Sequence, residues 1–164
     1  MIAVSRAVGV VGANVEATAG RSGRALRRMM GGMLIAFAVQ FLLGMLVNLF
    51  VQIPAHHPGV GDGYFGGAVP VVAWALLHAS PALRLHVLLG IILGLGGLAV
   101  LVRAITLHRP EWIWAGAVAL FGLLASAGNG ISFLIFGRQF SSFFMALGFT
   151  VAAAAYVAAI ATAH

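Results

Sequence analysis

Residues 30–52 read MGGMLIAFAVQFLLGMLVNLFVQ, a run without a single charge. A helix rises about 1.5 Å per residue, so about 20 apolar residues cross a hydrocarbon core of roughly 30 Å. Met30–Gln52 is therefore read as a membrane span. Outward from it lie three more: Pro81–Ile105, with Arg84 and Arg103 near its ends, Glu111–Phe136, and Phe140–Thr162. Ser80-Pro81 is a start signal, because Ser caps a helix and Pro suits its first position. Trp112 and Trp114 suit the headgroup boundary. The predicted fold is an all-α integral membrane protein, an antiparallel four-helix transmembrane bundle. Residues 1–29 form an N-terminal segment, and residues 30–163 form one transmembrane domain.

The composition agrees. Of 164 residues, 62% are hydrophobic and 7% charged, whereas a soluble domain carries about a quarter charged residues. Nine Arg and Lys residues together (all nine are Arg) and three acids cannot keep such a chain in solution. That excludes a disordered chain, a nucleic-acid module and an ordinary soluble enzyme. The net charge of +6 is concentrated beside the apolar runs, as membrane topology requires. The chain has no cysteine, which removes disulfides, iron–sulfur clusters, Cys-ligated zinc and covalently attached haem.

Arginine bias sets the direction. Arg21, Arg24, Arg27 and Arg28 precede the first span, and Arg103 and Arg109 lie between the second and third. Only Arg84 and Arg138 fall on the other side. The sequence thus predicts a protein of the cytoplasmic (inner) membrane with both termini cytoplasmic. The Ile53–Ser80 loop is then extracytoplasmic. Its first half is rich in Gly and Pro and irregular; its second half, Val69–Ala79, reads as a short interfacial or re-entrant helix. Met1–Gly20 is not a signal peptide, since its positive charges mostly follow the apolar stretch. It is read as disordered or as an interfacial helix.

Small residues mark helix contacts in lipid. The second span offers Gly90, Gly94, Gly96 and Gly97; the third offers Gly122, Ser126 and Gly130. The fourth carries Ala146, Thr150, Ala154, Ala158 and Thr162 as an unbroken small ridge. Such ridges serve packing within the bundle, a partner subunit, or a second copy of the chain.

Polar residues inside spans are costly and so become functional candidates. Asn48, His86, Asn129 with Ser126 and Ser132, and the Ser141-Ser142 pair all fall at the depth of the outer leaflet. Above them hangs a loop with His56, His57, Asp62, Tyr64 and His78. Gln40 is the clear polar exception in the inner half. The pattern predicts an outward-facing polar pocket, with His86, His78, His56, His57, Asn48 and Asn129 as its binding residues. The bland alternative is that each residue bonds a neighbouring helix or reaches the interface.

Three occupants fit that pocket. The run Leu85-His-Val-Leu-Leu-Gly-Ile-Ile-Leu-Gly resembles, over one helix, the histidine-bearing helices of membrane b-type cytochromes. The resemblance implies haem b and electron transfer, with His86 as one axial ligand and a loop histidine as the other. His108 and His164 lie on the opposite side. A metal held by His56, His57, Asp62, His78 and His86 suits copper or zinc in ligand type. A small organic or lipid-like ligand is the third, with Phe133, Phe136, Phe140, Phe143 and Phe144 as walls.

The three acids, Glu16, Asp62 and Glu111, fall outside or at the edge of the spans, where none can relay protons, and no polar stripe runs the full depth of a span, so pump and channel chemistry are disfavoured. No acid orients a histidine beside a serine, so the reading leans away from an enzyme. The second function class is a non-catalytic accessory or scaffolding subunit of a larger membrane complex or a homo-oligomer. The two classes separate on geometry. Binding requires His86 and Asn129 to point into one cavity, whereas docking requires the Ala146–Thr162 ridge to face outward.

Overall fold

The computed structural model of the chain describes residues 2–162, with side chains from residue 20 onward. It contains five helices: α1 (Ile2–Phe50), α2 (Gly63–Leu77), α3 (Pro81–Thr106), α4 (Pro110–Phe136) and α5 (Gln139–Thr162). No strand occurs among the described residues. Four helical stretches are long and apolar enough to cross a membrane, namely Gly20–Phe50, α3, α4 and α5. The four expected spans are present: α3, α4 and α5 have ends within one residue of those read from the sequence, whereas the first stretch begins at Gly20 rather than Met30. His164 lies outside the described residues.

Of the two readings of the N-terminal segment, disordered or helical, residues 2–20 are helical: their backbone continues α1 without a break, giving a 49-residue helix about 73 Å long. That is more than twice a hydrocarbon core, so its first turns project beyond the membrane on one side.

Helix ends follow local chemistry. Ser80 Oγ accepts a hydrogen bond from the Leu83 amide at 3.4 Å, with Pro81 opening α3 as expected. α4 ends at Gly137, whose left-handed φ of 64° only glycine adopts without strain. The loop helix α2 starts at Gly63, earlier than the predicted Val69, with Pro70 inside it as its eighth residue. Pro70 has no amide hydrogen, so the Gly66 carbonyl receives no helical bond from it.

The side chains assemble into two apolar clusters. The larger joins α1, α3, α4 and α5 through Leu26, Met30, Phe37, Leu93, Leu123 and Tyr156, among others. The smaller joins α2 to the opposite end of the bundle through Val71, Ala75, Val47, Leu83 and Ile135. α2 packs against α3 and α4. Its docking needs glycine: a Cβ on Gly67 would collide with the carbonyl oxygen of Gly59, where φ is +94°. Tyr64 then ties α2 to α4, its hydroxyl donating to the Gly128 carbonyl at 3.2 Å.

α4 and α5 pack most closely. A Cβ on Gly122 would strike the Gly148 carbonyl oxygen, and Ser126 Oγ donates to the Met145 carbonyl at 2.7 Å. Ser141 Oγ reaches Ser132 Oγ at 3.4 Å. Gly122, Ser126 and Gly130 thus serve packing, Gly130 lying against Met145. Of the uses open to the small ridge on α5, packing within the bundle is not the one it serves. Ala146, Thr150, Ala154, Ala158 and Thr162 are all exposed, while Ser141, Gly148, Ala152, Tyr156 and Ala159 are buried. The buried series carries Tyr156, whose ring stacks on Phe37 at 5.8 Å between centroids. That bulk fixes which side of α5 faces inward.

Candidate functional site

The predicted polar layer separates into local pairs. Asn129 Nδ2 donates to the Ala125 carbonyl of its own helix at 2.9 Å. Asn48 is exposed on α1. Ser126, Ser132 and Ser141 stitch α4 to α5, as described above. Of the five phenylalanines expected to wall a pocket, Phe133 is half-buried and the other four, Phe136, Phe140, Phe143 and Phe144, are exposed, with the Arg138 guanidinium over Phe136 at 5.0 Å and Phe140 at 5.8 Å.

The loop histidines are held apart from His86. His57 stacks flat on Trp74 of α2, with centroids 4.2 Å apart and planes 11° from parallel. Its Nδ1 lies 3.1 Å from the Pro58 carbonyl oxygen. His56 and His78 are exposed, and His78 caps the end of α2. His86 turns instead into the seam between α3 and α1. Among the described residues no group of three or more His, Asp or Glu side chains is placed to hold a metal ion. The expected copper or zinc set is therefore not assembled. Nor do these residues fit a haem with two histidine ligands, because His57 is committed to Trp74 and His56 and His78 are exposed.

The seam of α1 and α3 holds the polar site that the structure does assemble. Gln40, only 9% exposed, reaches across from α1, and its Nε2 donates to the His86 carbonyl at 3.1 Å. The fit is reciprocal. A Cβ on Gly44 of α1 would lie 3.1 Å from the His86 ring, and one on Gly90 of α3 would lie 3.3 Å from Gln40 Nε2. Each glycine opens a notch that the facing polar side chain fills. Two atoms remain over: Gln40 Oε1 and His86 Nδ1 are both buried without a hydrogen-bond partner. Leaving a buried polar atom unpaired costs about 1–3 kcal/mol, so such a pair is unusual on facing helices.

Gln40 was set apart from the site by its depth, yet the signal was present. Counting about 1.5 Å per residue, Gln40 lies about 15 Å below the end of α1 at Phe50 and Gly90 about 13.5 Å below the start of α3 at Pro81. A glutamine and a glycine at matching depth on adjacent spans mark a crossing. Two further buried polar atoms lack partners, Trp112 Nε1 and Tyr156 Oη. Both belong to the apolar cluster, Trp112 filling the space beside Gly23 and Tyr156 that beside Gly97.

Comparison with protein-family models, with curated proteins and with solved structures returned no match.

Proposed function

We propose that this protein is a small ligand-binding protein of the cytoplasmic membrane, its site at the α1–α3 seam around Gln40 and His86. The observation that carries the reading is the pair of buried, unpartnered atoms, Gln40 Oε1 and His86 Nδ1, on facing helices. A ligand reaching them from the bilayer has to be largely apolar and to carry a donor for Gln40 Oε1 together with a partner for His86 Nδ1, an acceptor or a donor according to the tautomer. A hydroxyl satisfies both: it donates to Gln40 Oε1 and accepts from His86 Nδ1 when that nitrogen carries the proton. The reading takes the chain as an antiparallel bundle with both termini cytoplasmic, supported by the arginine excess at one end. It assigns no reaction.

The test is organic extraction and mass spectrometry of the mildly solubilised, purified protein. Wild type and His108→Ala are expected to retain a hydroxyl-bearing amphiphile that Gln40→Leu and His86→Ala lose. An identical extractable set in all four proteins overturns the site. The absorption spectrum of the same wild-type preparation, oxidised and then dithionite-reduced, is expected to show no Soret band; a band that shifts on reduction restores the haem reading.

A second reading, an accessory or scaffolding subunit, is favoured by one specific observation. The small-residue series Ala146–Thr162 faces out of the chain, with Thr150 and Thr162 bonded to carbonyls of their own helix. A partner that copurifies with wild type and is lost on enlarging this face supports it.

A further inference from the structure

Six arginines gather at one end of the bundle, and three contacts fix their level. The Trp112 ring at the start of α4 fills the notch at Gly23 of α1, 3.2 Å from where a Cβ would stand. Arg27 Nη2 donates to the Ile160 carbonyl near the end of α5 at 3.4 Å. Ala104, one residue beyond Arg103 on α3, is buried in the same cluster as Leu26 and Trp112. The ends of α3, α4 and α5 therefore meet the flank of α1 here, and this level bears Arg21, Arg24, Arg27, Arg28, Arg103 and Arg109. Among residues 20–162, the carboxylate at this end is Glu111, and it pairs with Arg109 at 3.6 Å.

Arg24, Arg28 and Arg103 are exposed. Arg24 and Arg28 stand four apart on α1 and share a face, turned away from buried Leu26 and Met30. Trp114, 72% exposed, lies near the start of α4, two residues beyond Trp112, at the level where an indole meets headgroups. The guanidinium fork matches the oxygens of a phosphate, and a cluster of arginines at the membrane surface attracts anionic lipid. We infer that this end of the molecule binds the phosphodiester headgroups of anionic phospholipid, with Arg24, Arg28 and Arg103 as the contacting side chains.

The experiment places wild-type protein in nanodiscs of equimolar phosphatidylcholine and phosphatidylglycerol and counts retained lipid by native mass spectrometry. Wild type enriches phosphatidylglycerol. The triple variant Arg24→Gln, Arg28→Gln, Arg103→Gln loses that enrichment by about threefold or more, the triple Lys variant keeps most of it, and raised salt weakens it. Arg138→Gln, at the other end, leaves the ratio unchanged. If the triple Gln variant does not fold, the double variant Arg24→Gln, Arg28→Gln serves, with a smaller loss in the same direction. An unchanged ratio in the Gln variants, or an equal loss in Arg138→Gln, overturns the inference. So does an adduct of inorganic phosphate that forms in pure phosphatidylcholine nanodiscs through the same arginines, because the site would then take free phosphate.

Discussion

At Gly122 the α4 backbone lies against the carbonyl of Gly148, closer than any side chain allows. In lipid, close packing rather than the hydrophobic effect joins helices, so this contact contributes directly to their association. Gly122→Val should destabilise the fold by about 1–3 kcal/mol, whereas Gly94→Ala, where a Cβ meets nothing within 4 Å, should change it by less than about 0.5 kcal/mol. Denaturant titration in detergent micelles compares them, and equal effects would show that the close approach is not what holds α4 to α5. The Gly122–Ser126–Gly130 spacing was legible in the sequence because small residues on a span have few other uses. The Gln40–His86 pair was half legible. His86 stood out as a titratable group within a span, but its partner depends on the register of two helices, and depth from the nearest end gives that only once both ends are known. Asn129 misled for the opposite reason: an Asn can satisfy its amide on its own helix, and that one does.

Among the elements, α2 depends on a residue outside it. Arg84 Nη2 donates to the Leu77 carbonyl at 2.9 Å and to the Ala79 carbonyl at 3.3 Å, covering carbonyls that the end of α2 leaves open. In the sequence Arg84 read only as a charge on the less basic side. Removing it should loosen the helix end: Arg84→Ala is expected to lower amide protection over residues 74–79 by about 1 kcal/mol while leaving α5 unchanged. Hydrogen exchange followed by mass spectrometry measures both, and unaltered protection at the α2 end would reduce Arg84 to a surface charge. α5 shows why face assignment failed where helix assignment succeeded. Its exposed and buried faces both carry small residues, so residue size cannot tell them apart. Tyr156 decides, because its ring has a place only against Phe37 and Gly97.

For the molecule as a whole, the phase of α5 determines what the chain can offer a neighbour. Large apolar side chains such as Ile35, Leu42, Leu95, Phe121 and Phe143 cover much of the outer surface, as lipid contact requires. The Ala146–Thr162 face interrupts that cover with small side chains, and lipid alone gives no reason for it to be small. Ala152 and Ala154 therefore make a matched pair, two positions apart on one helix, the first fully buried and the second exposed. Ala152→Phe forces a ring into the contact with Gly122 and should cost about 3 kcal/mol or prevent folding. Ala154→Phe should leave thermal stability of the isolated chain within about 0.5 kcal/mol of wild type. If the two variants melt alike, the orientation of α5 is wrong, and with it the separation of an inner packing face from an outer one. If they differ as expected, the mass of the Ala154→Phe protein in native membranes becomes decisive. A smaller assembly than wild type means that the small face seats a partner, and an unchanged mass leaves the seam of Gln40 and His86 as the feature that sets this bundle apart from a plain four-span scaffold.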